Sequence, residues 1–298
     1  MFKSLSDLQR LIEKNKVKKK LVLAVSQDAH SLEAVHTAFK AGIIDPILIG
    51  SRPETESLIA ERGFDFEGAT FIHEADHVKS VELAVRMVHD NKADILMKGK
   101  VATPVLLKGV LNKEWGLRTG SLLSHFALFE VDTYHKLIGI TDVAMNIAPN
   151  LKDKIGIINN SVGYMNKMGI AKPKVAVLGA IEMVNESMQA TLDAALLSKM
   201  NQRDQIKNCI IDGPLAFDNA VSFESAKHKG IKSEVAGDTD LLLMPDIEVG
   251  NVLYKTLVFF AKAKVASVIL GASAPIVLTS RSDSEESKYN SILLAAMA

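Results

Sequence analysis

The chain has 298 residues, 35 basic and 35 acidic side chains, and a hydrophobic share of 48%. Balanced charge excludes a global field that would draw it to nucleic acid or a membrane surface, so any anion must be captured by a local arrangement. The length favours two domains, and the single cysteine, Cys209, excludes an internal disulfide and fits a reducing compartment.

In chain order, "LVLAVS" (21–26) predicts a buried strand and 31–40 a helix. "PILIG" (46–50) predicts a second strand. Ser51-Arg-Pro-Glu then supplies a helix N-cap, and Gly63 a stop. "ATFIHE" predicts a strand, 78–91 a helix and "ADILMKG" (93–99) a strand, after which Thr103-Pro104 reads as a cap followed by a first-turn proline. A second series starts at "YHKLIGITD" (134–142). It continues through a helix at 151–168, "KVAVLGA" (174–180), a helix at 188–204 and "NCIIDGP" (208–214). A helix at 219–229, "DLLLMPD" (240–246) and a helix at 250–263 follow. "VASVILGA" and "PIVLTS" then lead into a last helix. Strands that are apolar throughout and alternate with helices predict an α/β fold, with largely parallel sheets covered on both faces.

The N-terminal segment has no signal-peptide apolar region, and Leu253 to Leu278 is interrupted by Lys255, Lys262 and Lys264, too early for a membrane span. The expectation is a soluble cytoplasmic protein.

Ligands of open parallel sheets bind beyond the carboxyl ends of the strands. Four such ends carry suggestive residues: Lys98-Gly99-Lys100, Asp212-Gly213-Pro214, Pro245-Asp246 and Ser280-Arg281. Neither G-x-G-x-x-G nor G-x-x-x-x-G-K-[ST] occurs, so no dinucleotide fingerprint or Walker loop is supported. "HEADH" (73–77) matches the letters of a zinc motif that works only on one helix face. Here His73 closes a predicted strand and Asp76 caps the next helix, so no metal is expected. Cys209 opens an apolar strand with no histidine nearby in sequence, which reads as an inert buried thiol.

"SRSDSEESK" (280–288) places a hydroxyl and a guanidinium before a helix N-terminus, where backbone N–H groups and the helix dipole favour an anion. Arginine can present two parallel donors to a phosphate. The competing reading is simple capping, since Asp283 and Glu286 have capping-box spacing. The residues alone leave both open. Lys98-Gly99-Lys100 with Thr103 repeats the pattern of strand end, glycine, cations and helix start. Two such seats in a chain of zero net charge favour a ligand carrying phosphates.

These stretches resemble the phosphate acetyl/butyryltransferase family, most closely its phosphate butyryltransferase branch. The matching segments are "MKGKVATPVLLKGVL" (97–111), "GSLLSHFALFE" (120–130), "GITDVAMNIAPNLKDK" (139–154), the run from Asp212 to Lys255, and "GASAPIVLTSRSDS" (271–284). The first ninety residues match in pattern only. The resemblance implies two doubly wound lobes around a cleft, akin to the isocitrate/isopropylmalate dehydrogenase fold, in a homodimer or higher homo-oligomer. It puts residues 1–130 plus 268–298 in one lobe and 131–267 in the other. It implies acyl-CoA and inorganic phosphate exchanging directly to acyl phosphate and CoA, with no metal or redox cofactor. Ser280 and Arg281 match the family's pair that holds the transferring phosphate. Lys98, Gly99, Lys100 and Thr103 match its strand-end segment, and Ser121 and Ser124 its serine-containing continuation. In acetyl-specific relatives an aspartate seven residues after the serine is the thiol base. Ser287 stands there in this chain, leaving Asp283, favoured here, with Glu285 and Glu286 as alternatives.

Three rival functions stay in view. Acetyl rather than butyryl transfer needs only a different acyl pocket. A metal- and NAD-dependent dehydrogenase on the same fold would draw ligands from Asp212, Asp218, Asp238, Asp240 and Asp246, and a non-catalytic CoA-binding protein would need no chemistry at all.

Overall fold

The computed structural model describes residues 2–15, 18–280 and 283–298. The chain divides into two compact units: Leu5–Ser121 with Ala266–Ala298, and Leu122–Val265 with Met1–Ser4.

The first unit opens with α1 (Leu5–Asn15), which the sequence reading missed because its polar residues outnumber its apolar ones. Leu5, Leu8 and Ile12 are nevertheless buried, at helical spacing. There follow β1 (Lys19–Ala24), α2 (Ala29–Lys40), β2 (Ile44–Gly50), α3 (Arg52–Arg62), β3 (Thr70–His73), α4 (His77–His89), β4 (Ile95–Lys98) and α5 (Thr103–Val110). Local chemistry sets the boundaries. The Asp28 carboxylate caps α2 by accepting from the Ser31 N–H at 2.8 Å, and Gly63 closes α3 at φ +65°, a conformation side chains with a Cβ resist. Ala102, not Thr103, is the N-cap of α5, and Thr103 is its first helical residue.

The second unit contains β5 (Ser124–Glu130), β6 (Ile138–Thr141), α6 (Leu151–Lys167), β7 (Lys174–Leu178), α7 (Gln189–Gln202), β8 (Ile210–Leu215), α8 (Phe217–Val221), α9 (Phe223–His228), β9 (Leu241–Leu243) and α10 (Ile247–Phe259). The helix expected at 219–229 is split in two, because Ser222 leaves helical geometry and caps α9 through its hydroxyl. The chain then passes through β10 (Lys264–Leu270), β11 (Ile276–Val277) and α11 (Glu285–Ala296).

In the first unit the strand order is β3-β2-β1-β4-β11-β10, parallel except for the antiparallel β10–β11 pair. Leu21 to Ala24 of β1 are buried without alternation, as expected where helices cover both faces. In the second unit the order is β5-β6-β9-β7-β8, again parallel but for β5 against β6. β5 is the strand the sequence reading left out. Its pairing with β6 puts it in the second unit, so the first unit ends at Ser121 rather than 130. The core of the second unit is built on Ala127, Phe129, Ile138, Ile140, Ala176 and Leu242, drawn from four strands.

Candidate active site

Three parallel strands of the first unit end side by side. Ala24 is level with Lys98, and Val277 with Met97, so residues 25–28, 99–103 and 278–280 leave the sheet at one edge. The approach is tight. The Gly99 and Lys100 N–H groups donate to the Ala24 and Val25 carbonyls at 2.9 and 2.8 Å, and a Cβ on Gly99 would lie 2.1 Å from the Val25 oxygen. Only glycine fits there. Val25 has φ +60°, an unusual conformation for a β-branched residue and one that concentrates at functional sites.

The last strand brings the C-terminal segment to this edge. The Asp283 carboxylate accepts from the Ser280 N–H at 2.6 Å. Ser284, not Asp283, is the N-cap of α11, accepting from the Ser287 N–H at 3.1 Å, so the capping box expected from Asp283 and Glu286 does not form. The helix start already carries Glu285 and Glu286 in its first turn, where they complement the dipole. Its own end is thus a poor place for a further anion, and the polar groups available lie one step earlier, around Ser280. Arg281 lies outside the described residues.

Lys98 is buried, and its ammonium donates to the Gly99 and Val101 carbonyls at 3.2 and 3.3 Å. Lys288, also buried, donates to the carbonyls of Ser280 at 2.9 Å and Asp283 at 3.3 Å. Burial pushes the Asp283 carboxyl above the ordinary aspartate range, against the Ser280 N–H and the charges of Lys288 and Lys98. Burial likewise lowers Lys288, with Asp283, Asp28 and Glu285 opposing. Glu285 is held below its ordinary value, chiefly by its hydrogen bond to His30 at 3.0 Å. Of the three candidate bases, Asp283 is the one that is both close to Ser280 and made more basic by its surroundings.

The remaining expected residues divide. Lys100 is exposed and Thr103 half-buried. The N–H groups of Gly99, Lys100 and Val101 all bond backbone carbonyls, so this segment offers an anion its side chains rather than a backbone cradle. Ser121 is exposed beside Thr119, whose hydroxyl donates to Gly271 O at 2.6 Å. Ser124 belongs to the other unit, fully buried on β5, its hydroxyl 3.0 Å from the Asn160 amide. The structure therefore gathers Lys98, Gly99, Ser280 and Asp283, and adds two residues the sequence reading missed, Val25 and Lys288. A signal for Lys288 was present: it shares the buried face of α11 with Ser291, Ile292 and Ala295, an odd place for a lysine.

The second unit offers no comparable arrangement. A cavity of about 750 Å³ is lined mainly by apolar groups, among them Met188, Phe217, Val249 and Val252. A neighbouring one of about 540 Å³ includes the buried Lys154–Asp193 pair at 2.6 Å. The five aspartates weighed as metal ligands are committed separately. Asp238 and Asp240 meet Lys136, Asp246 caps α10, Asp218 meets Lys229, and Asp212 accepts from the Gly213 N–H. Among the described residues, no three His, Cys, Asp or Glu side chains converge as a metal set. His73 and His77 of "HEADH" sit on different elements, β3 and α4, so the shared helix face is missing. Cys209 is buried, and burial pushes its thiol up to about 11, away from nucleophilic use.

Comparison with known proteins places the chain among phosphate acyltransferases. The family described as "Phosphate acetyl/butaryl transferase" matches residues 6–82 and 72–296. A phosphate butyryltransferase of Clostridium acetobutylicum is 49% identical over 297 residues, 100% of this chain and 98% of the relative. A phosphate acetyltransferase of Thermotoga maritima is 46% identical, over 97% of this chain and 99% of the relative. The crystal structure of a branched-chain phosphotransacylase from Enterococcus faecalis superposes with a TM-score of 0.83 at 34% identity, covering 94% of this chain and 98% of that one. With matches running the length of the chain, this protein belongs to the phosphate acetyl/butyryltransferase family.

Proposed function

We propose that the protein catalyses acyl-CoA + phosphate ⇌ acyl phosphate + CoA by direct transfer in a ternary complex, with a butyryl or branched short-chain acyl group. The observation that carries this reading is the Asp283 carboxylate, raised by burial and held beside Ser280 where β4 and β11 end, in a chain matched by its family along its length.

In the forward direction a phosphate oxygen attacks the thioester carbonyl carbon. The tetrahedral oxyanion collapses, the C–S bond breaks, the attacking hydrogen phosphate gives up its proton, and the departing sulfur takes one up from the Asp283 carboxyl, the reverse of the base step. Ser280 and Arg281 hold the phosphate, and Lys98, fixed at the strand end by two carbonyls, contributes positive charge beneath it. Lys100, Thr103 and Ser121 supply further contacts to phosphate or CoA. Ser124, buried against Asn160, keeps to the interior of its sheet. In reverse, Asp283 takes the thiol proton as sulfur attacks the acyl phosphate. A thiol pKa near ~8.5 means a modest base suffices. Positioning two anionic substrates in line provides most of the acceleration. No net oxidation or reduction occurs, so the scheme calls for no redox cofactor, and its charge stabilisation is assigned to side chains rather than to a metal.

A second reading, acetyl transfer, is favoured by the acetyltransferase relative, whose identity is only slightly lower. One methylene is worth about 1–3 kcal/mol in a pocket, so the two readings differ in preference rather than mechanism. Parallel assays with acetyl-, butyryl- and isobutyryl-CoA decide between them. Turnover in EDTA without NAD is expected. Strict dependence on metal and NAD, or no turnover with any acyl-CoA, would overturn the transferase reading.

We further propose a cytoplasmic homodimer. Among the described residues no helix is long and apolar enough to cross a membrane. The second unit exposes Phe217, Phe223, Val249, Val252, Phe259 and Phe260, a large apolar cost for a monomer that a second copy would remove. Light scattering of Val252→Glu against wild type tests this; an unchanged monomeric mass in both would sink it.

A further inference from the structure

We propose that Lys288 is a positioning residue for the transfer reaction, holding Ser280 and Asp283 through their backbone carbonyls. This rests on the reading that the turn seats phosphate. Lys288 is 4% exposed, and its ammonium reaches back eight residues to the Ser280 carbonyl at 2.9 Å and five to the Asp283 carbonyl at 3.3 Å. Both carbonyls belong to residues of the candidate phosphate seat. The same turn is closed from inside by the Ser280 N–H on the Asp283 carboxylate at 2.6 Å, so Ser280 is fixed through both its N–H and its C=O.

A lysine on a buried helix face costs burial of its charge and needs strong compensation. Lys288 is compensated by carbonyls in one short turn, with Asp28 and Asp283 near enough to attract it. Anchoring α11 to the sheet requires no ammonium. Ser291 on the same face already does so, its hydroxyl accepting from the Ser267 N–H at 2.9 Å. What the ammonium adds is a fixed placement of Ser280 and Asp283 and a positive charge beside them. Both favour a bound dianion over the empty seat, and a more charged transition state over either. Lys288 itself need not touch phosphate.

The test compares Lys288→Met and Lys288→Arg with wild type, by phosphate titration at saturating butyryl-CoA, the converse titration, and thermal melts. Lys288→Met should lose on the order of 10- to 100-fold in kcat/KM for phosphate, the scale of lost charged hydrogen bonds. The KM for butyryl-CoA should change by less than about threefold, a shift worth well under one such bond. Lys288→Arg, which can still serve two carbonyls, should recover much of the loss. A merely structural lysine would lower the melting temperature of Lys288→Met and leave the phosphate kinetics of the folded protein unchanged, which overturns the proposal. Should Lys288→Met not fold, Lys288→Gln replaces it. Its amide serves one carbonyl, and activity equal to wild type overturns the proposal equally. Ser280→Ala and Arg281→Lys are run beside them. If these lose phosphate selectively and Lys288→Met does not, the positioning role fails and the phosphate seat stands. If none of the three changes phosphate kinetics, the seat itself is wrong.

Discussion

Both units bury lysines, and they compensate them differently. In the second unit Lys136 meets Asp240 at 2.6 Å and Asp238 at 2.8 Å, and Lys154 meets Asp193 at 2.6 Å. Against the cost of burial, Lys136, Lys174 and His135 hold the Asp238 carboxyl well below the usual aspartate range. In the first unit the ammonium groups of Lys98 and Lys288 reach backbone carbonyls at the strand ends. A carboxylate in direct contact pairs with a buried positive charge, whereas a carbonyl satisfies its hydrogens and leaves neutralisation to carboxylates that are not its hydrogen-bond partners, such as Asp283 and Asp28 for Lys288. The first arrangement fixes a fold. The second fixes the backbone at the strand ends, where the proposed phosphate seat lies.

The contrast breaks most visibly in the second unit. Asp193→Ala leaves Lys154 buried and unpaired, and should destabilise by about 3–5 kcal/mol in denaturant titrations. In the folded fraction the phosphate KM should be unaltered. A large phosphate effect with little loss of stability would erase the distinction between structural and functional lysines.

Next in size is Arg281→Lys, which keeps a charge but loses the planar two-donor fork. A loss on the order of 10²-fold or more in kcat/KM for phosphate is expected, the scale of one aimed donor. Near-normal kinetics would put the phosphate elsewhere.

Asp283→Asn should slow the CoA-consuming direction by about 10- to 100-fold, the lower reach of general-base effects because a thiol is already fairly acidic. Its stability effect has the opposite sign. The folded state raises the Asp283 pKa, so its contribution is full below the unfolded aspartate range and lost as pH rises through the higher folded value. Asparagine accepts from the Ser280 N–H without ionising, so the neutral-pH melting temperature should match or exceed wild type. In the wild-type enzyme the CoA-consuming rate should fall with acid at a pH above the ordinary aspartate range. A melting temperature that drops along with activity would make Asp283 a structural residue only.

The smallest effect is expected at Cys209. Direct transfer uses no enzyme nucleophile, so Cys209→Ala should retain nearly full activity. An inactive but folded variant, with acyl-cysteine trapped in the wild type, would replace the ternary complex with a covalent route.

Much of this was readable from residue order. The alternation of apolar runs with helical stretches marks ten of the eleven strands among the described residues, since parallel strands buried on both faces read as continuous apolar segments. β5 escaped because "SHFALFE" joins its sheet antiparallel, outside the βαβ rhythm. Lys98-Gly99 and Ser280 were legible because strand-end glycine, cation and hydroxyl form a local pattern. The part played by Asp283 was only half legible. Spacing made it a helix cap, but Ser284 took the cap and released its carboxylate to the Ser280 N–H.

By itself, then, the sequence determined most of the element order, the α/β class, the family and the strand-end segments proposed to carry the chemistry, because each is written in local periodicity or in contiguous motifs. Tertiary structure alone decided which of those segments meet. β11 pairs with β4 although some 180 residues separate them, which brings Asp283 near Lys98. It also decided that Ser124 faces an interior and that Lys288 points at backbone rather than solvent. Such outcomes depend on contacts between residues remote in sequence and on burial, which changes what a charge costs, and no local pattern encodes either.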